Sequence, residues 1–252
     1  MKKLFVILAV SVLLYGFAGS AMALSFGTSS DGTSLQQVFD GFTLDGTSSV
    51  NTLNDYLAED AYWQQTATGG SVVTMVIEVA GFKDTNTFGI YDAANHNVFV
   101  ELFNGLASPN SLNDQITFSI RSSGEVKING NYTGITFSGS TFGFYLDSTN
   151  GGQGGGRFYS DTSLNSDLFD HLAVYQGTGD WVQLPGYNPG EWTSNEYILA
   201  WEDLYGGGDS DYQDFVVMAE SINPAVPEPS TVLLLGAGML GLVAFGRKHL
   251  KK

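Results

Sequence analysis

The chain has 252 residues, 26 acidic against 10 basic, and a formal net charge of −16. That balance excludes a nucleic-acid binder, which needs clustered lysine and arginine, and the lack of cysteine excludes a disulfide scaffold, a thiolate zinc site and a cysteine nucleophile. A hydrophobic content of 43% with 13% aromatics excludes a disordered chain.

The N-terminus reads Met1-Lys2-Lys3, an apolar run from Leu4 to Tyr15, then a small-residue site at Ala21-Met22-Ala23. This three-part pattern marks residues 1–23 as a secretory signal peptide, with the mature chain starting near Leu24. The apolar run is shorter than the ~20 residues a spanning helix needs. Residues 24–60 are expected to pack onto the main domain. Within them one or two helical turns are predicted from Ser34 to Phe39, and Leu53, Tyr56 and Leu57 suggest a short amphipathic helix over Asn51–Ala58.

From about residue 61 the pattern turns to strands. Runs rich in β-branched and aromatic residues occupy 71–79, 97–103, 115–120, 143–146, 172–175, 197–201 and 214–218, and Gly, Asn, Asp and Ser turns bound them. Glu125–Ile128 followed by Asn129-Gly130 predicts a hairpin arm with a tight turn. With no linker in sight, residues 61–223 are expected to form one all-β domain, a jelly-roll-like antiparallel β-sandwich. Phe88-Gly89-Ile90-Tyr91 echoes Phe142-Gly143-Phe144-Tyr145, which reads either as a trace of duplication or as coincidence. The glycine-rich stretch Gly151–Gly156 lacks the lysine of a phosphate loop and reads as a flexible loop.

Chemistry concentrates between the strands at 197–201 and 214–218. Glu202, Asp203, Asp209, Asp211 and Asp214 bracket the glycines at 206–208, and no lysine or arginine lies between Arg157 and Arg247. Two carboxylates ~4 Å apart repel by about 4 kcal/mol near a protein surface. Such a cluster splays into solvent, takes up protons or binds a cation. Its all-oxygen inventory suits Ca²⁺, which takes six to eight oxygens in a flexible cage. The spacing is not that of an EF-hand, and strand alternation predicts that Glu202 and Asp203 point to opposite faces. The plain alternative is a solvated acidic turn that holds no metal. His171, at the head of an apolar run, reads as a hydrogen-bonded structural histidine.

No nucleophile elbow, zinc-protease helix or phosphate loop is present, so no enzymatic activity is expected. A glycoside hydrolase with paired carboxylates is the weakest reading. Carbohydrate binding, in particular of exopolysaccharide, is the sharper alternative, with Trp63, Trp181, Trp192 and the tyrosines as candidate stacking residues unless they form the core.

The C-terminus, residues 224–252, carries three of the six prolines within Pro224–Pro229, an uncharged, mostly apolar stretch over 231–246, and a basic end from Arg247 to Lys252. The stretch is expected to be a transmembrane helix of roughly 24 Å, extended by snorkelling basic side chains, with its C-terminus in the cytoplasm. Once both ends are set aside, Lys83, Arg121, Lys127 and Arg157 are the only lysines and arginines, against every acid but Glu228. Such self-repulsion calls for bound cations.

Val226-Pro227-Glu228-Pro229-Ser230, the apolar helix containing Gly236-Ala237-Gly238 and the basic end together resemble the PEP-CTERM sorting signal. The resemblance implies export in a Gram-negative bacterium, recognition by an exosortase, removal of the tail near Pro227–Pro229, and a final place at the cell surface or in the extracellular matrix. Glu202-Asp203-Leu204 with Gly208-Asp209-x-Asp211-Tyr212-x-Asp214, preceded by Phe142–Tyr145, Phe158–Ser160 and Asp170-His171, resembles the signature of a domain family of unknown function in bacterial surface proteins. That resemblance covers about residues 140–220, implies a Ca²⁺-binding β-sandwich, and adds Asp147 as a further candidate ligand. The expected role is structural or adhesive, with extracellular polysaccharide or other surface proteins as partners and the membrane as a temporary anchor.

Overall fold

Short runs of residues that suit a pleated surface, cut by turn formers, leave this chain little choice but paired strands. The computed structural model describes residues 24, 26–27, 32–78, 85–104, 114–151 and 154–225. The expected signal peptide and sorting tail, with its membrane helix, lie outside them. Among the described residues no helix is long and apolar enough to cross a membrane.

In chain order the strands are β1 (Trp63–Gln65), β2 (Ser71–Glu78), β3 (Thr87–Asp92), β4 (Asn95–Phe103), β5 (Gln115–Ile120), β6 (Glu125–Ile128), β7 (Asn131–Thr136) and β8 (Phe142–Asp147). They continue as β9 (Arg157–Tyr159), β10 (Leu172–Gln176), β11 (Trp181–Val182), β12 (Gly190–Glu191), β13 (Glu196–Trp201), β14 (Phe215–Glu220) and β15 (Ile222–Pro224). One sheet runs β15-β1-β8-β3-β4, with β9 also on β8; the other runs β10-β13-β14-β2-β5-β6-β7, and β11 and β12 form a small ribbon. The pairings are antiparallel. The predicted turn between β6 and β7 is confirmed by positive φ at both Asn129 and Gly130.

Alternate residues of β10, β13 and β14 serve two cores. Leu172, Val174, Leu199, Trp201, Phe215 and Val217 join Trp63, Phe88, Ile90, Phe142 and Phe144 of the facing sheet in the inter-sheet core. Their neighbours Ala173, Tyr175, Ile198, Ala200, Val216 and Met218 pack on the opposite side with Leu35, Phe39, Phe42, Val50, Val182, Leu184 and Trp192. The N-terminal segment is therefore a third layer over the outer face of the second sheet. It is led by α1 (Leu35–Phe42), where Ser34 and Gln37 form a reciprocal capping box. The helix predicted over Asn51–Ala58 is absent, and residues 52–54 are a turn. There the Asp55 carboxylate accepts from the Asn51 amide at 2.7 Å and the Asn51 side chain accepts from the Leu53 amide at 3.0 Å, bonds that compete with a helical ladder. Of the three candidate stacking tryptophans, Trp63 and Trp192 are core residues and Trp181 is exposed.

The echo between β3 and β8 has a packing explanation. The two strands pair so that Gly89 faces Tyr145 and Tyr91 faces Gly143. A Cβ at Gly89 would meet the Tyr145 ring at 2.6 Å, and one at Gly143 would meet the Tyr91 ring at 2.2 Å. Each tyrosine thus lies over the glycine of the other strand, a reciprocal arrangement that requires Gly-x-Tyr twice. Gly143→Ala is expected to force the Tyr91 ring off its seat and cost about 1–3 kcal/mol of stability, read from urea denaturation; an unchanged midpoint would show that the ring is free to shift.

Candidate metal centre

The acidic segment leaves the sandwich at a pair of strands packed into the inter-sheet core. β13 ends and β14 begins at the ladder pair Trp201–Phe215, whose rings lie 6.1 and 5.3 Å from Phe88 of the facing sheet. Residues 202–214 must then curl back over a short base. Positive φ at Gly206, Gly207, Gly208, Ser210 and Tyr212 provides the curl. At Gly208 the backbone closes on a side chain: φ is positive and a Cβ there would sit 2.4 Å from Glu202 Oε1, so a larger residue would be strained and would push that carboxylate aside.

Three other segments hold the loop. Ser148 Oγ donates to the Asp203 carbonyl at 2.6 Å, and the Tyr205 amide donates to the Gly154 carbonyl at 2.9 Å. The Gly27 amide donates to Ser210 O at 2.7 Å, and Gln213 Nε2 donates to Thr33 O at 3.0 Å. Gly154–Gly156 therefore form a docking edge, with Gly155 bridged to Leu204, rather than the free loop that composition suggested. On the near side, His171 is fully buried, stacked on Phe158 at 3.7 Å. Its Nδ1 lies 2.9 Å from the Glu202 carbonyl and its Nε2 lies 2.9 Å from Asp167, so its role is to fix the start of the loop.

Within this frame the five carboxylates converge. Glu202 is 0% exposed, Asp203 and Asp211 each 2%, Asp214 is half-buried and Asp209 is exposed. Glu202, Asp209 and Asp211 offer ligand atoms within 4.8 Å of one another, and so do Glu202, Asp203 and Asp214. The expected divergence of Glu202 and Asp203 does not occur, because the strand ends at Trp201 and the Asp203 amide turns to donate to Asp214 Oδ2 at 3.1 Å. Asp147 belongs to neither group; it is paired with Arg157 at 2.7 Å, and that guanidinium also lies over the Phe99 ring.

Among the described residues no lysine or arginine is paired with these carboxylates. Arg157 pairs with Asp147, and the His171–Asp167 contact is ionic only when the imidazole is protonated, which burial disfavours. Both Glu202 oxygens are buried without a hydrogen-bond partner, and so are Asn86 Oδ1, Gln213 Oε1 and Trp201 Nε1. Ionised carboxylates only accept hydrogen bonds, so Glu202 and its acidic neighbours can be satisfied only by shared protons or by a cation. Asn86 and Gln213 escape a reading of the sequence. Asn86 reaches Asp203 from far upstream through Nδ2 at 3.0 Å, and Gln213, though inside the acidic stretch, looks like an ordinary loop amide until its amide is seen gripping Asp211 at 3.0 Å.

Burial pushes the Glu202 carboxyl up to about 10; the charge of Asp214, the proton that Glu202 shares with that carboxylate, and then the charges of Asp209 and Asp211 add to it. Burial also raises Asp214 to about 8, with Asp203 the next cause, and raises Asp203 and Asp209. Carboxylates raised in the folded state hold protons that the unfolded chain has already released, so their contribution is full below about pH 4 and declines as pH rises through the folded values. His171, lowered chiefly by burial, acts in the opposite sense but only below its unfolded value of about 6.5. In chelator, the melting temperature is therefore expected to fall between about pH 7 and pH 9, because the folded chain there still holds protons, on Glu202 throughout and on Asp214 up to about pH 8, that the unfolded chain has lost. Scanning calorimetry across that range checks this; a flat or rising profile would contradict the described crowding.

Comparison with known families places two matches on the chain. Residues 111–221 match a domain of unknown function, DUF4114, and residues 225–248 match the PEP-CTERM protein-sorting motif. The first match starts well before the stretch expected from the acidic signature and includes all five carboxylates. The second is a substrate signal for exosortase processing and marks an exported protein whose precursor is anchored in the membrane at its C-terminus. No curated protein and no solved structure matches the chain.

Proposed function

We propose that this exported chain is a non-catalytic surface protein whose loop 202–214 binds Ca²⁺ and uses it to lock the end of a β-sandwich, in a structural or adhesive role at the cell surface or in the extracellular matrix. The observation that carries the reading is the Glu202 carboxylate, wholly buried and, when ionised, without a donor at either oxygen, with further carboxylates on either side. A buried ionised carboxylate without a partner is strongly unfavourable, and a divalent cation relieves it and its neighbours together.

Calcium fits better than its competitors. The donor set is oxygen only, which disfavours zinc and copper. Mg²⁺ demands a near-ideal octahedron and keeps several waters, whereas Ca²⁺ accepts a crowded, irregular set of carboxylates, carbonyls and amide oxygens. Outside the cell even sites with Kd of ~10⁻⁴–10⁻³ M are useful. The bound ion would tie the two ends of the loop to each other, and through them the hydrogen-bonded edges at Ser148 and Gly154 and the N-terminal strap at Gly27 and Thr33.

An ion that binds only the folded state adds about 2.7 kcal/mol at a hundredfold excess over Kd. Millimolar Ca²⁺ is therefore expected to raise the melting temperature of the full chain clearly. Glu202→Gln is expected to abolish that rise and, by removing the most crowded acid, to make the calcium-free protein more stable than the parent. Differential scanning calorimetry reads both. No shift and no heat of binding at millimolar Ca²⁺ would overturn the proposal.

A further inference from the structure

The carboxylates of the loop do not gather into one sphere. Oxygens bound to a single Ca²⁺ at 2.3–2.6 Å lie within about 5 Å of each other. At that spacing the five acids fall into two sets, Glu202 with Asp209 and Asp211, and Glu202 with Asp203 and Asp214, which share one member. The sets also differ in backbone origin. Asp203 and Asp214 come from the two ends of the loop, where they are bonded to each other. Asp209 and Asp211 come from its far turn, where the Gly27 amide grips the intervening Ser210 carbonyl.

Each set has its own unsatisfied oxygens. Glu202 has two, Oε1 and Oε2, both buried and unpartnered. Asn86, bonded to Asp203 through Nδ2 at 3.0 Å, leaves its buried Oδ1 without a donor. Gln213, whose amides hold Asp211 at 3.0 and 3.1 Å, leaves its buried Oε1 likewise. One carboxylate shared by two sets, with one orphaned amide oxygen beside the private acids of each, is the donor pattern of a bridged pair. Charge points the same way: one divalent ion among five carboxylates leaves three negative charges uncompensated in a largely buried site, whereas two ions leave one.

We propose that the loop holds two Ca²⁺ ions bridged by the Glu202 carboxylate, one completed by Asp209 and Asp211 and the other by Asp203 and Asp214. The inference rests on the calcium reading of the same loop but is separable from it by stoichiometry. Equilibrium dialysis of the full chain against Ca²⁺ is expected to saturate at two ions per chain. Asp209→Asn with Asp211→Asn is expected to leave one ion, and Asp203→Asn with Asp214→Asn also one, with near-ultraviolet circular dichroism of each variant checked against the parent. Saturation of the unmodified chain at one ion would overturn the bridged pair and leave the calcium site standing; saturation at none would overturn both. Loss of both ions in a natively folded double variant, or retention of both, would overturn the division of ligands.

Discussion

A carboxylate buried beyond the reach of water must find a proton, a partner or an ion, and Glu202, once ionised, has no donor among the described residues. Much of the surrounding structure follows from that. Gly208 lets the backbone pass against Glu202 Oε1, where a Cβ would push the carboxylate aside, and the His171 ring lies with Nδ1 2.9 Å from the Glu202 carbonyl. Other acids are drawn in by backbone amides, Asp214 by Asp203 and Asp211 by Gln213, which fixes negative charge beside the one group least able to tolerate it. The arrangement resists neutralisation by anything but protons or cations.

The sandwich anchors both ends of the loop in packed strands. The Trp201–Phe215 pair is locked into the inter-sheet core by Phe88, and the outer faces of β13 and β14 are covered by α1 and the N-terminal layer. Positive φ at Ser210 and Tyr212 is uncommon for such residues, and it persists because Tyr212 is buried against Phe26 and bonded to the Asp170 carbonyl. On the proposed reading, ions at this point do for a cysteine-free exported domain what a disulfide does elsewhere, joining distant segments at the end of the sheets.

The regular part of this organisation is legible in the residues. The β2, β5, β8, β10, β13 and β14 runs announce themselves by β-branched and aromatic composition, and the acidic cluster by charge alone. What escapes depends on partners distant in sequence. The short β1, β9 and β15 are strands because the neighbouring sheet accepts them, and the 51–58 segment forgoes a helix for side-chain-to-backbone bonds. The side-by-side placement of Glu202 and Asp203 also contradicts a period-of-two reading, which fails once the strand ends at Trp201. Asn86 and Ser148 carry no local signal at all: an amide and a hydroxyl become part of the site only when β3 and β8 bring them under the loop. The Gly-x-Tyr echo shows the reverse, a visible pattern whose meaning lies in cross-strand packing rather than repetition.

The central claim is that the buried charge of Glu202 is met by a metal ion. A crystal structure of the protein grown with calcium, with anomalous scattering recorded, tests it most directly. The account predicts anomalous density within about 2.3–2.6 Å of Glu202 oxygens, flanked by the aspartates. Glu202 oxygens surrounded at millimolar calcium by water or protein donors, with no anomalous density beside them, would contradict it.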